Sequence, residues 1–348
     1  MKLSVLDAGD TLLASRSFPE EVGGSDLAGW VGAAGRVGAV GHRIVHGGSE
    51  FAGPVLMSVD VRARIEALGD LAPLHQAKAL AVIDALAGTS SGTPVVACFD
   101  TAFHAHMPEA AARYAIPAEW RQRWGIRRFG FHGLSHAYAA RRTAELMHLP
   151  VAELRIVTCH LGAGASLAAV QGGRSVDTTM GFTPLEGLVM ATRSGSVDPG
   201  LVLWLIRDAG LDPSVVAAGL EHDSGLAGLA GTADMREVLE RSSAGDADAR
   251  LALDVYLHRL RAGIAAMAAS MGGIDAVSFT GGVGESAADV RRRAAEGLGF
   301  LGLVIDEERN TFQDGDRAIG DAAAPVPTFV VIAREDLQIA HEVRALLG

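Results

Sequence analysis

Short runs of apolar residues recur along the chain and alternate with stretches of helical period. Leu3–Leu6, Val40–Val45, Val95–Phe99, Ile156–Cys159, Ser166–Val170, Ala276–Phe279 and Thr328–Ile332 read as strands. Gln76–Ala87 sets Ala79, Ile83 and Leu86 on one helical face, and Ala252–Met267 does the same with Val255, Tyr256, Leu260, Ile264 and Met267. Asp289–Leu298, with three consecutive arginines, reads as a solvated helix behind a glycine turn. Phe18–Gly38 has no sustained period and reads as a loop or a degenerate element. Strands alternating with helices predict α/β layers with partly parallel sheets, and no short repeat is present.

At 348 residues the chain is long enough for about two domains at ~150 residues each. A net charge of −11 argues against a nucleic-acid or anionic-membrane partner, because both demand a cationic footprint. It leaves small anionic substrates open. The N-terminal apolar run breaks at Asp7, unlike a secretory signal, and no apolar stretch reaches the ~20 residues of a membrane span. Cys98 and Cys159 sit in apolar runs without metal-site spacing, which fits a reducing cytoplasm.

The 43 glycines exceed the ~7% expected of an average chain, so their placement matters. Val5–Asp10, Cys159–Ser166 and Phe279–Ser286 each run from an apolar strand into a glycine turn. Without a Cβ, backbone N–H groups can approach phosphate oxygens closely. None of the three matches a Walker loop, and the Rossmann fingerprint is absent from the first βα turn. Any one of these could be a plain tight turn, but three at strand ends point to a nucleotide held between two domains.

Charge set in apolar surroundings supplies the remaining chemistry. Arg43 lies inside a strand and needs either a ligand or a structural partner, Glu50 or Asp60. Asp100 ends a strand, where α/β sheets carry functional groups, or else caps the following segment. His132 and His136 are flanked by glycine and aromatics, and singly each reads as an ordinary core histidine. Arg193 centres a turn-rich loop, an anion clamp or a solvated loop. Together the inventory suits phosphoryl transfer onto an anion, with cations cancelling phosphoryl charge and a carboxylate organising Mg²⁺.

These stretches, with the run Ser175–Gly187, resemble acetate kinases of the acetate and sugar kinase, Hsp70 and actin superfamily from Val40 onward. The resemblance implies two actin-like, ribonuclease H-like domains with the active site in an interdomain cleft. They would comprise 1–101 plus 337–348, in reduced form, and 102–336. It implies that Arg43 and Arg193 bind the substrate carboxylate and the phosphoryl group, that His132 stabilises the transition state, and that Asp100 organises the metal. Val45, Leu74, Phe131 and Pro184 match the acyl pocket. His160, Gly162, Gly164, Ser166, Asp234, Met235, Arg236, Gly282, Val283, Gly284, Glu285 and Ser286 match nucleotide-binding segments. Asp7 and Glu335 match the metal carboxylate positions, with Asp336 as the neighbouring register.

The implied reaction is reversible, Mg²⁺- or Mn²⁺-dependent transfer of the ATP γ-phosphoryl group to acetate or propionate, by a cytoplasmic homodimer. A carboxylic acid is already ionised at pH 7 and needs no general base. Relatives carry Asn-x-Gly-Ser-Ser-Ser-x-Lys at the first turn, where this chain reads Asp7 to Ala14, with Asp10 and Leu12 in place of two serines and Ala14 in place of the lysine. That exchange leaves two alternatives open: a weakened paralogue that binds ligands as a regulator, and an acyl kinase with another donor or acid.

Overall fold

A computed structural model describes residues 2–18, 24–33, 35, 37–71, 73–87, 92–312 and 314–348. Its strands are β1 (Lys2–Leu6), β2 (Leu12–Ser17), β3 (Val40–Ile44), β4 (Val55–Leu56), β5 (Val95–Phe99), β6 (Arg155–Leu161), β7 (Ala165–Gln171), β8 (Arg174–Thr178), β9 (Ala276–Thr280), β10 (Arg317–Ala318) and β11 (Thr328–Val330). The chain divides into two compact units, one of Met1–Ala105, His132–Tyr138 and Arg334–Gly348, the other of His106–Phe131 and Ala139–Ala333. These limits differ from the expected ones in three places: the first segment runs to Ala105 rather than 101, His132–Tyr138 goes with the first unit, and the return begins at Arg334 rather than 337.

In the first unit β3 runs parallel to β5, and β4 pairs antiparallel with the other edge of β5. Both faces of β5 are covered, so its alternate residues enter different cores. Ala97 and Phe99 join Ile44, Phe51, Ile65, Leu80 and Ile83 on one side. Val96 and Cys98 join Leu134 and Val343 on the other. Gly41 lets the C-terminal helix Glu335–Leu347 lie directly on β3, since a Cβ there would sit 2.2 Å from Ile339 Cγ2.

β1 and β2 form a separate two-stranded hairpin. Asp7 closes its turn by accepting the backbone N–H groups of Gly9 (2.8 Å) and Thr11 (2.9 Å). The stretch read as a loop contains a helix, Gly24–Ala33, although residues 19–23, 34 and 36 lie outside the described residues. Leu27, Trp30 and Val31 form its apolar stripe and meet Phe18, Val82 and Leu86. Interleaved glycines dilute that stripe in the sequence, but the i, i+3, i+4 spacing is intact.

The second unit is built on a six-stranded sheet of order β10-β11-β9-β6-β7-β8, with β6, β9 and β11 parallel and the rest antiparallel. The helix Ala247–Ser270, capped by Asp246 at the amides of Asp248 and Ala249, lies against it. Gly263 permits the close approach, because a Cβ would come within 2.7 Å of Leu167 Cδ1. The helix expected at Asp289–Leu298 spans Ala288–Glu296, but it is not wholly solvated. Arg291 is buried to 1% exposure and serves the carbonyls of Gly284, Glu285 and Asn310. Among the described residues no helix is long and apolar enough to cross a membrane.

Candidate active site

The parallel register of β3 and β5 sets Ile44 opposite Phe99, and the Asp100 amide donates to the Ile44 carbonyl at 2.9 Å. Two strand ends therefore bring Arg43 and Asp100 to the same level. Arg43 Nε lies 3.0 Å from both carboxylate oxygens of Asp100, and Nη2 lies 2.6 Å from Oδ2. Asp100 is 1% exposed, whereas the Arg43 side chain is 40% exposed, so a buried carboxylate holds a guanidinium that still faces outward. Glu335 opens the C-terminal helix and places Oε2 3.4 Å from Arg43 Nε. The charge of Asp100 raises the pKa of Arg43, so the cation is permanent. The alternative partners fall elsewhere, since Glu50 and Asp60 both pair with Arg64.

His132 is joined to this cluster through the backbone. Its φ of 56° is left-handed, and the next residue, Gly133, donates its N–H to the Asp100 carbonyl at 2.9 Å. A Cβ on Gly133 would lie 2.1 Å from that oxygen and 2.8 Å from Phe103 Cβ. Only glycine admits this approach, and the surrounding contacts hold His132 in a conformation that few non-glycine residues adopt. His136 and His104 are fully buried behind it, with ring centroids 5.8 Å apart. Val45 follows β3 directly, while the side chain of Leu74 lies outside the described residues.

Two carboxylates, Asp100 and Glu335, share one guanidinium, and no group of three or more His, Cys, Asp or Glu side chains that could hold a metal ion stands among the described residues. Mg²⁺, which commonly takes one or two protein carboxylates, would have to complete its shell with water and phosphate. Glu335 is the residue directed at Arg43; Asp336 instead bonds Arg334 and caps its own helix at the Leu337 amide. Among the described residues Asp7 makes its bonds elsewhere. Its carbonyl accepts from Arg344 Nη2 at 2.8 Å, and Arg344 also pairs with Asp10. Arg344 lies nine residues along the helix from Glu335, about 13 Å of axial rise. Glu335 thus opens the helix whose later residue Arg344 holds the backbone of the Asp7 turn.

In the second unit the other two glycine turns do meet. β6 and β9 are adjacent and parallel, with His160 opposite Thr280, so Gly162–Gly164 and Gly281–Glu285 emerge side by side. Gly281, at φ 79°, lies against β6 so closely that a Cβ would be 2.8 Å from the Leu161 carbonyl. Glu285 closes this turn by accepting the amides of Gly281 and Ala333, both at 2.9 Å, so its carboxylate is structural. Ser166 is buried in β7, and Ser286 donates to the Gly282 carbonyl. Gly282, Val283 and Gly284 lie in a short helix, Gly281–Ser286, that follows β9 directly, so the expected glycine turn is here a helix start. Asp234 caps a separate helix, Met235–Ser243, with Met235 buried and Arg236 paired to Asp234 at 2.7 Å.

Arg193 sits in a loop joined to the first of these turns, where Ala191 N–H donates to the Ala163 carbonyl at 3.1 Å. Its Nη1 donates to the Pro184 carbonyl at 2.7 Å, and burial lowers its pKa, opposed by Glu221. No carboxylate among the described residues makes a close ion pair with it, in contrast to Arg43. Phe131 is buried. Sequence reasoning passed over Arg128, Tyr114 and Glu186, which bond one another around Gly181, although Glu186 lies inside the run Ser175–Gly187.

A strand-end carboxylate–guanidinium pair in one α/β unit, and two glycine-rich segments on parallel strands in another, are the features that the sequence pattern associated with a phosphotransferase. The model of the acetokinase family matches residues 31–341. The chain is 48% identical over 323 residues to an acetate kinase of Deinococcus deserti, covering 92% of this chain and 81% of that protein. It is 50% identical over 315 residues to an acetate kinase of a Synechococcus species, covering 90% and 78%. The acetate kinase structure from Porphyromonas gingivalis superposes with a TM-score of 0.89 at 34% identity, covering all of this chain and 90% of that one. A propionate kinase from Francisella tularensis gives 0.85 at 37%, covering 91% and 82%. The fold is therefore that of two actin-like domains, and the chain belongs to the acetokinase family, phosphotransferases with a carboxyl group as acceptor.

Proposed function

We propose that this protein transfers the γ-phosphoryl group of ATP to acetate or propionate, reversibly and in line, giving an acyl phosphate and ADP. The observation that carries the reading is the Arg43–Asp100–Glu335 cluster at the ends of two parallel strands. The acceptor is its own nucleophile at pH 7, so the obstacle is repulsion between two anions rather than a proton to be removed. Arg43 and Arg193 offset that repulsion, Arg43 as a permanent cation on β3 and Arg193 from its loop. His132, held by the Gly133 contact, stabilises developing charge.

Asp100 and Glu335 would hold Mg²⁺ or Mn²⁺, which when bound supplies neutralisation of phosphoryl charge. Asp100 is then an organising carboxylate and not a proton acceptor. Pro184, Phe131 and Val45 would bound the acyl group, and the paired glycine turns with Asp234 and Arg236 would take the nucleotide. The same reading makes the protein a cytoplasmic homodimer. A coupled assay for acyl phosphate from ATP and acetate tests it, with Arg193→Ala as the inactive control. No turnover by the wild-type chain sinks the proposal.

A further inference from the structure

Three side chains outside the transfer chemistry close the loop between Thr179 and Gly187. Glu186 Oε1 accepts from Arg128 Nη2 at 2.7 Å, and Oε2 accepts from the Tyr114 hydroxyl at 2.5 Å. That hydroxyl accepts in turn from the Phe182 amide at 2.9 Å. Arg128 Nη1 donates to the carbonyls of Thr179 (3.1 Å) and Met180 (3.0 Å), and the guanidinium lies over the Tyr114 ring at 5.4 Å. The fit allows no slack: a Cβ on Gly181 would lie 1.7 Å from Glu186 Oε2 and 2.1 Å from the Tyr114 oxygen. Burial and the neighbouring Glu186 raise the pKa of Tyr114, so the phenol keeps the proton it donates.

What this tie holds in place is informative. Pro184 lies at the middle of the closed loop, and its carbonyl is the 2.7 Å acceptor for Arg193. The far end is fastened too, with Ser196 N–H donating to the Gly187 carbonyl at 3.0 Å and Gly187 N–H to Ser196 Oγ at 3.1 Å. One loop tied at both ends thus carries Pro184, proposed above to bound the acyl group, and the carbonyl that holds the Arg193 guanidinium. Resting on the function proposed above, we infer that Tyr114, Glu186 and Arg128 are positioning residues that set affinity for the carboxylic acid and the size of acid accepted. They act through Pro184 and Arg193 and touch neither reactant. Charge-assisted hydrogen bonds of this kind are the strong ones, and Tyr114 makes two bonds through a single oxygen.

The test uses the full chain carrying Tyr114→Phe, which keeps the ring and removes both bonds, beside Glu186→Gln. We expect Tyr114→Phe to raise KM for acetate about 10-fold, the scale of one lost hydrogen bond to a charged group. KM for ATP should stay within about 2-fold, and kcat/KM for propionate relative to acetate should rise as the pocket wall loosens. Glu186→Gln, which can still accept one bond and donate another, should give a smaller change in the same direction. Calorimetric titration with acetyl phosphate provides a readout without turnover, and the Tyr114→Phe variant should bind it more weakly than the wild type. A lower melting temperature with unchanged acetate KM and acid preference would overturn the inference, as would equal rises in both KM values. Wild-type protein that neither binds acetyl phosphate nor makes it would instead overturn the proposed function.

Discussion

The two units carry comparable chemistry on unequal scaffolds. In the second, the six strands form one sheet, and its two glycine turns emerge from neighbouring parallel strands. In the first, the catalytic candidates stand on a three-stranded sheet, while the hairpin bearing the remaining glycine turn forms a sheet of its own, fastened to Arg344. A guanidinium–carboxylate pair requires only two strands in register and one helix end. A phosphate-cradling turn requires that its strand join the sheet. The contrast separates the residues proposed for the charge chemistry from the first glycine turn, which forms a hairpin outside both larger sheets.

The sharpest way to break this comparison is to damage the strand-end cluster alone. Asp100→Asn removes the buried charge that holds Arg43, and we expect kcat to fall about 10²–10³-fold, as for loss of one preorganised electrostatic group. A loss under 5-fold in steady-state kinetics would show that Asp100 serves only to pair with Arg43. The first unit also carries a pH liability. His42 is buried on β3, and burial lowers its pKa to about 4, below its ordinary 6.5. The unfolded chain therefore takes up the proton first, so this contribution is fully present above pH 6.5 and is lost as pH falls toward 4. The loss amounts to about 3 kcal/mol over that window. Denaturant titrations at pH 7 and pH 4.5 should reveal it, and His42→Leu should flatten the dependence.

Smaller effects sharpen the contrast further. Gly133→Ala has no room beside the Asp100 carbonyl and should cost about 1–3 kcal/mol of stability with a loss of activity, because the chain must move His132 to accommodate the methyl group. Wild-type activity in that variant would remove the positional argument for His132. The smallest effect concerns the separated turn. Asp7→Asn should change the Mg²⁺ concentration giving half-maximal rate by less than about 2-fold, whereas Glu335→Gln should raise it about 10-fold, the scale of a lost carboxylate interaction. Equal shifts in the two variants would place Asp7 at the metal after all.

The sequence made much of this legible, for identifiable reasons. The seven strands read from it are all present; β5, β6, β7, β9 and β11 bury apolar residues through most of their length, whereas β1 and β3 are only partly buried and were legible from their short apolar runs alone. β2, β4, β8 and β10 were not anticipated, being polar, exposed or only two residues long. Arg43 announced itself as a charge in an apolar strand, and it does have partners, though not the two nearest in sequence. Arg291 was indistinguishable from Arg292 and Arg293, since adjacent arginines differ only in which helical face meets the core. Tyr114 and Glu186 stand 72 positions apart, and nothing local links a tyrosine after a short helix to a glutamate in a turn. The direction of the first hairpin was equally unreadable, because an apolar strand with a glycine turn fits a free hairpin as well as a sheet.

The most direct measurement is phosphorus NMR of the full chain incubated with ATP, acetate and Mg²⁺, wild type beside Arg43→Ala. A guanidinium that offsets the repulsion between the two anions predicts an acetyl phosphate resonance with the wild type and a rate at least about 10²-fold lower with the variant. Acetyl phosphate formed at the same rate by both proteins would contradict the account.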